Sequence, residues 1–202
     1  MKDIIIDSVG RLEEIMHHSG CEEGGVRLDV NPDAKNCQYE RGACMIATFG
    51  GRTAEFVTDD PIRALTKISF MSGAPLDTPA TRSAACAVIN VAAGFFCLSR
   101  VLHSCPVASH APCKNELVAE LRGHRVFCSG GLPALAAELR NGIVERPEDA
   151  DFILINNEGI ILPETGDLID SLTPAQRVIC IGPSTAGIAR IQQQSHWCPY
   201  GT

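Results

Sequence analysis

No cluster of lysine and arginine interrupts this 202-residue chain, and its formal net charge is −7. Nucleic acids and anionic membranes both require a basic face, so neither is expected as a partner. There is no apolar run of bilayer-spanning length either. The longest, residues 84–98, contains Asn90 and falls short of the roughly 18–20 residues a spanning helix needs, which predicts a buried core helix instead. The opening MKDIIIDSVGRLEEIM lacks the uncharged core of a secretory signal, and a cytoplasmic location is expected. The familiar nucleotide and hydrolase signatures are missing too. There is no Gly-Lys-Ser/Thr of a P-loop and no Gly-x-Ser-x-Gly elbow. The one glycine-rich strand-to-helix turn, Gly130-Gly131-Leu132-Pro133-Ala134-Leu135, lacks the third glycine of a dinucleotide fingerprint. Internal repeats and low-complexity tracts are absent.

What remains is an ordinary globular balance, 45% hydrophobic and 20% charged, whose last third carries the clearest pattern. Residues 126–137 and 178–189 each read as a buried strand, a glycine turn and a helix, and 152–156 reads as a third strand. Strands alternating with helices imply a parallel sheet covered on both faces. Ligands of such sheets bind at the carboxyl ends of the strands, here Ser129-Gly130-Gly131, Asn156-Asn157-Glu158-Gly159 and Gly182-Pro183-Ser184-Thr185. A helix start after Gly182 and Pro183, with Ser184 or Thr185 as its cap, favours an anion. Glu145, at the end of an expected strand over 143–145, is placed to meet a ribose hydroxyl or, equally, to pair with a surface cation.

Upstream, residues 3–18 show helical spacing stopped by Gly20, 21–42 are polar and turn-rich, and 43–49 with 53–57 flank Gly50-Gly51-Arg52 as a hairpin. A short helix is expected after Asp60-Pro61, then a loop, then a long apolar helix over 81–102 capped by Thr78 or Thr81. Residues 103–113 are rich in proline and serine and read as a linker between a small α/β domain (1–102) and the parallel-sheet domain (114–202). A short helix over 115–121 precedes the βα alternation.

Ten cysteines are many for a chain whose compartment disfavours disulfides. Cys44, Cys86, Cys97, Cys128 and Cys180 lie in apolar runs, where cysteine acts as a small hydrophobe. Cys21, Cys37, Cys105, Cys113 and Cys198 lie in polar or proline-rich surroundings. His103, Cys105, His110 and Cys113 place four soft donors within eleven residues, a set suited to Zn²⁺ or another transition metal, although the spacing is not that of a zinc finger. His196-Trp197-Cys198 is a second, looser candidate. His17-His18 fits a solvated helix face.

The run from Glu145-Arg146 through Phe152–Asn157 to Gly182-Pro183-Ser184-Thr185, with the closing Tyr200-Gly201-Thr202, resembles an uncharacterised domain family labelled for heavy-metal chelation. That resemblance covers residues 40–202. It implies a Rossmann-like carboxyl-terminal domain preceded by a small α/β domain like the amino-terminal domain of enolase. The family's usual Thr- and Gly-rich segment is replaced here by Asn156-Asn157-Glu158-Gly159, and the family carries no secure activity to transfer. The expected role is thus binding of a small anionic metabolite or a metal complex at the strand ends. The alternatives are a transferase using a nucleotide-like cofactor, and a metal carrier or sensor using the linker donors. A homo-oligomer is left open.

Overall fold

The computed structural model describes residues 2–34 and 43–202, so Cys37 lies outside the described residues. The chain opens with helix α1 (Ile4–Met16), capped by the Asp3 carboxylate, which accepts from the Ile5 and Ile6 amides. Its apolar positions recur at helical spacing and bury Ile5, Val9, Leu12 and Met16. Four strands follow: β1 (Gly25–Asn31), β2 (Ala43–Phe49), β3 (Arg52–Thr58) and β4 (Ala64–Lys67). They form an antiparallel sheet in the order β3-β2-β1-β4. The expected hairpin is β2–β3, closed at Phe49↔Arg52 by Gly50 and Gly51 at φ +53° and +78°, values a side chain would oppose.

Two expectations fail here. Within the stretch read as turns, β1 buries Val26 and Leu28 between the outward Gly25 and Arg27, a strand with only two buried apolar positions to stand out among polar neighbours. The helix expected after Pro61 is instead β4 and a 3₁₀ turn (Ile68–Met71). Residues 64–67 pair with 25–28 and satisfy the outer edge of β1, a long-range requirement that overrides a local helix-start signal.

Helix α2 (Pro79–Phe95) starts as expected, with a reciprocal Thr78/Thr81 capping box and Pro79 in its first turn. It ends seven residues early. Leu102 folds back over Gly94, its Cδ1 lying 2.5 Å from where a Gly94 Cβ would stand, and Cys97 takes φ +57° in the turn. Cys97 is consequently exposed rather than core.

Helix α3 (His110–Leu121) follows a 3₁₀ turn (Val107–Ser109), so the end of the expected linker is helical. Then come β5 (Val126–Ser129), α4 (Pro133–Leu139), β6 (Phe152–Ile155), α5 (Asn157–Ile160), α6 (Thr165–Ser171), β7 (Arg177–Ile181), α7 (Ala186–Ile191) and β8 (Ser195–Trp197). The sheet is parallel throughout, in the order β5-β6-β7-β8. The strand expected over 143–145 shrinks to one bridge, Val126↔Ile143, because Pro147 follows and opens a 3₁₀ turn (Pro147–Asp149).

Alternation on β6 shows how the layers meet. Ile153 and Ile155 face a large core built with α1, α2, the antiparallel sheet and α7, whereas Phe152 and Leu154 face a smaller core under α3 and α4. The fold is therefore α/β in two parts that share one main core. No helix among the described residues is long and apolar enough to cross a membrane.

Candidate functional site

Parallel pairing puts the carboxyl ends of all four carboxyl-terminal strands on one edge of the sheet, as the sequence pattern requires. The expected binding residues there are largely engaged with one another. Gly130 (φ +88°) lies against the start of α5, where a Cβ would stand 2.2 Å from the Gly159 amide. Asn156 clamps this contact, donating to the Gly131 carbonyl (2.7 Å) and accepting from the Gly159 amide (2.8 Å). Ser129 is buried beneath, against Gly159.

The Gly182–Thr185 turn is equally committed. The Ser184 hydroxyl accepts from the Val57 amide (3.0 Å), and Thr185 donates within the turn to the Ile181 and Gly182 carbonyls. Asn90 of α2 donates to the Ser184 and Pro183 carbonyls and accepts from the Gly187 amide (2.8 Å). Pro183 and Ser184 thus dock the parallel sheet onto β3 and α2, while Thr185 closes the turn on itself. Glu145 is exposed in the segment after the bridge and lies outside the cavity described next. Glu158 is partly buried, which raises its pKa.

The same sheet edge does carry a cavity, on the other side of Gly182. It encloses about 280 Å³ between the first turns of α3, the start of α4 and the ends of β7 and β8. Leu117, Leu132, Leu135 and Ile181 form its apolar walls, and Cys105, His110, Cys113, Trp197 and Cys198 supply its chemistry. Three of the four expected metal donors thus reach one cavity, and the looser candidate Cys198 joins them. His103 does not. Its ring faces β3, with Nδ1 3.5 Å from Glu55 and Nε2 3.1 Å from the Thr53 hydroxyl.

Two of the cavity thiols, Cys113 and Cys198, are held above their ordinary pKa and so are protonated at neutral pH. Burial, reinforced by the neighbouring Cys113 and Cys105, pushes Cys198 up to about 12. Burial also raises Cys113, against the opposing effect of the Trp197 indole N–H beside it. That indole nitrogen is buried and makes no hydrogen bond of normal geometry. His196 sits behind the cavity, its Nε2 2.8 Å from the Gly182 carbonyl, and burial lowers its pKa so that it stays neutral. Lys114 at the rim is paired with Glu138 (3.0 Å). No side chain caps α3, so its positive end contributes at the cavity. Among the described residues, no three His, Cys, Asp or Glu side chains close on a single point as a ready-made ion site.

Cys198 and Trp197 are only weakly signalled in the sequence, because β8 is three residues long and too short to show a period. The wall formed by Leu132 and Leu135 is ordinary helix sequence until the fold brings it opposite Trp197.

Among solved structures, a protein of unknown function of the DUF364 family from Pyrococcus horikoshii is similar, with a TM-score of 0.51 and 14% identity over 90% of this chain and 79% of that one. At that identity the likeness shows the fold alone, and it agrees with the two-part α/β architecture. The neighbour is itself an uncharacterised domain, and heavy-metal chelation does not follow from it. No protein-family model matches the chain, and no curated protein matches it.

Proposed function

We propose that this protein binds a small ligand in the cavity between α3, α4, β7 and β8, and that the ligand presents an apolar body and a thiol-seeking centre. The carrying observation is the convergence of Cys105, Cys113 and Cys198 with His110 and Trp197 on one apolar-walled space at the carboxyl edge of the parallel sheet. This is the edge at which parallel sheets bind ligands. The donor chemistry is soft, yet the donors line walls rather than surround a point. A metal complex with its own organic ligands, which fills the space while one or two thiols bind the metal, fits that arrangement better than a bare ion. Because Cys113 and Cys198 start protonated, binding of the metal by either releases a proton. Within the cavity the described hydrogen bonds pair no nucleophile with a base, which favours binding over turnover.

Trp197 is the sole tryptophan of the chain and lines the cavity, so its emission isolates this site from the other cysteines. Phenylmercury, a flat apolar group on a thiol-seeking metal, is expected to quench Trp197 saturably. A Cys113→Ser/Cys198→Ser double variant should lose most of that response. Unchanged Trp197 emission with phenylmercury, and with anilinonaphthalene sulfonate up to about 1 mM, the range of the weakest specific complexes, would refute the reading.

A further inference from the structure

We propose that Cys113 is the thiol that bonds the ligand's metal, that the Trp197 indole N–H is the donor to the resulting sulfur, and that the ligand is a soft metal centre already carrying one apolar substituent. The assignment rests on the cavity being the ligand site. Three observations single out Cys113. It is half-buried, whereas Cys105 and Cys198 are only 5% and 9% exposed, so it is the cavity thiol most open to an entering ligand. It is the fourth residue of the twelve-residue α3, where the positive end of the helix favours a sulfur that carries negative charge. The Trp197 indole N–H lies beside it, buried and without a hydrogen bond of normal geometry. Leaving a buried donor unmade is costly, and native interiors rarely keep one. A neutral thiol satisfies it poorly, because its sulfur is a weak acceptor. A metal-bound sulfur has given up its proton and keeps much of the negative charge, which makes it a stronger, charge-assisted acceptor. Donors of this kind orient and tune a metal's ligands. Bonding at Cys113 therefore completes the indole, and bonding at another thiol leaves it unsatisfied. Cys198 is further restricted by Gly201, which packs onto its sulfur: a Cβ there would stand 2.6 Å from Sγ.

Capture by one sulfur also defines the ligand. Among the described residues no three His, Cys, Asp or Glu side chains close on a point, so an ion that wants four protein donors, such as Zn²⁺ in a structural site, is not completed here. A soft metal that takes two ligands in line is completed: Cys113 supplies one and the substituent is the other. The walls formed by Leu117, Leu132, Leu135 and Ile181 then receive the substituent, and removing its apolar surface from water favours the complex. With phenylmercury chloride the step is a ligand exchange. The sulfur–mercury bond forms as the mercury–chloride bond breaks, chloride leaves with its electron pair, and the thiol proton passes to solvent. Nothing is oxidised or reduced.

Because Trp197 is the sole tryptophan, its indole N–H gives one cross-peak in a proton–nitrogen correlation spectrum, and mercury on remote cysteines is silent there. Phenylmercury added to the full chain should move that peak downfield and slow its exchange with water about tenfold. Cys198→Ser should keep the response and Cys113→Ser should lose it. Zn²⁺ alone should leave the peak in place. Trp197→Phe keeps an aromatic ring but has no N–H. With para-fluorophenylmercury, whose fluorine signal reports the cavity-bound form, the glutathione concentration that strips it should fall about tenfold in Trp197→Phe. A peak that moves equally in Cys113→Ser, or stays in place while Trp197 emission is quenched, overturns the Cys113 assignment and leaves the cavity as the ligand site. Unchanged glutathione competition in Trp197→Phe overturns the role of the indole. A peak moved by Zn²⁺ alone overturns the ligand class. If neither the peak nor the emission responds to phenylmercury, the cavity is not the ligand site and the assignment falls with it.

Discussion

Asn90 is fully buried in the middle of an apolar helix, the position where a polar side chain is least welcome without partners. Its amide group supplies those partners to others. The oxygen takes the Gly187 amide, and the nitrogen serves two carbonyls of the turn before α7. Gly187 must be glycine for this approach, since a Cβ there would stand 2.6 Å from the Asn90 oxygen. Asn90→Ala leaves a buried N–H and two carbonyls unserved and opens a small void. The expected loss is about 2–4 kcal/mol of folding stability, measured by urea denaturation. A loss below about 0.5 kcal/mol, the size of an ordinary surface change, would mean that the Val57–Ser184 bond and apolar contact hold the turn without Asn90.

Among the elements, those legible in the sequence are the ones whose signal is local. Asp3 and Thr78 mark helix starts, Gly50-Gly51 marks the hairpin, and the apolar runs of β5, β6 and β7 mark a sheet buried on both faces. Of the strands missed, β4 and β8 are short and exist because a neighbouring edge pairs with them, and β1, as long as β2, buries only Val26 and Leu28 and so shows little apolar alternation. The candidate site divides the same way. Three donors could be read from spacing within one segment, but the diversion of His103 to Glu55 and the arrival of Cys198 depend on a fold-back no local pattern announces. Arg82 shows how strongly such long-range links can be built. Almost wholly buried, its guanidinium pairs with Asp3 at the start of α1 and donates to the Leu76 and Ile161 carbonyls, tying α1, α2 and the segment after α5 together. Arg82→Met should cost about 3–5 kcal/mol, because it strands a partly buried carboxylate. Adding Asp3→Ser, which keeps an N-cap oxygen but removes the charge, should recover part of that loss. If the double variant is the sum of the two single ones, the ion pair does not couple these elements.

For the molecule as a whole, the decisive question is whether the two sheets fold as one. The proline- and serine-rich stretch between them suggests a joint between two units, each with its own core. The packing favours unity. Ile153, Ile155, Cys180 and Ile188 from the parallel half belong to the same core as Val26, Met45, Phe56 and Val88 from the other. Buried hydrogen bonds from Val57, Asn90 and Asn157 cross between the halves as well. Separating the halves would expose these apolar faces to water, at roughly 25 cal/mol per Å², and would strand the crossing polar groups. Neither half is then stable at a denaturant concentration that unfolds the other. Trp197 fluorescence reports the parallel sheet, and amide exchange at Met45 and Phe56 reports the antiparallel one. Both should lose structure at one urea midpoint, with one m-value appropriate to the whole chain. Two midpoints, or exchange at Met45 through an opening that leaves Trp197 buried, would show that the shared core is a docking surface between independently folding parts. The cavity, built wholly from the segments after residue 104, would then survive in a fragment that lacks the antiparallel sheet.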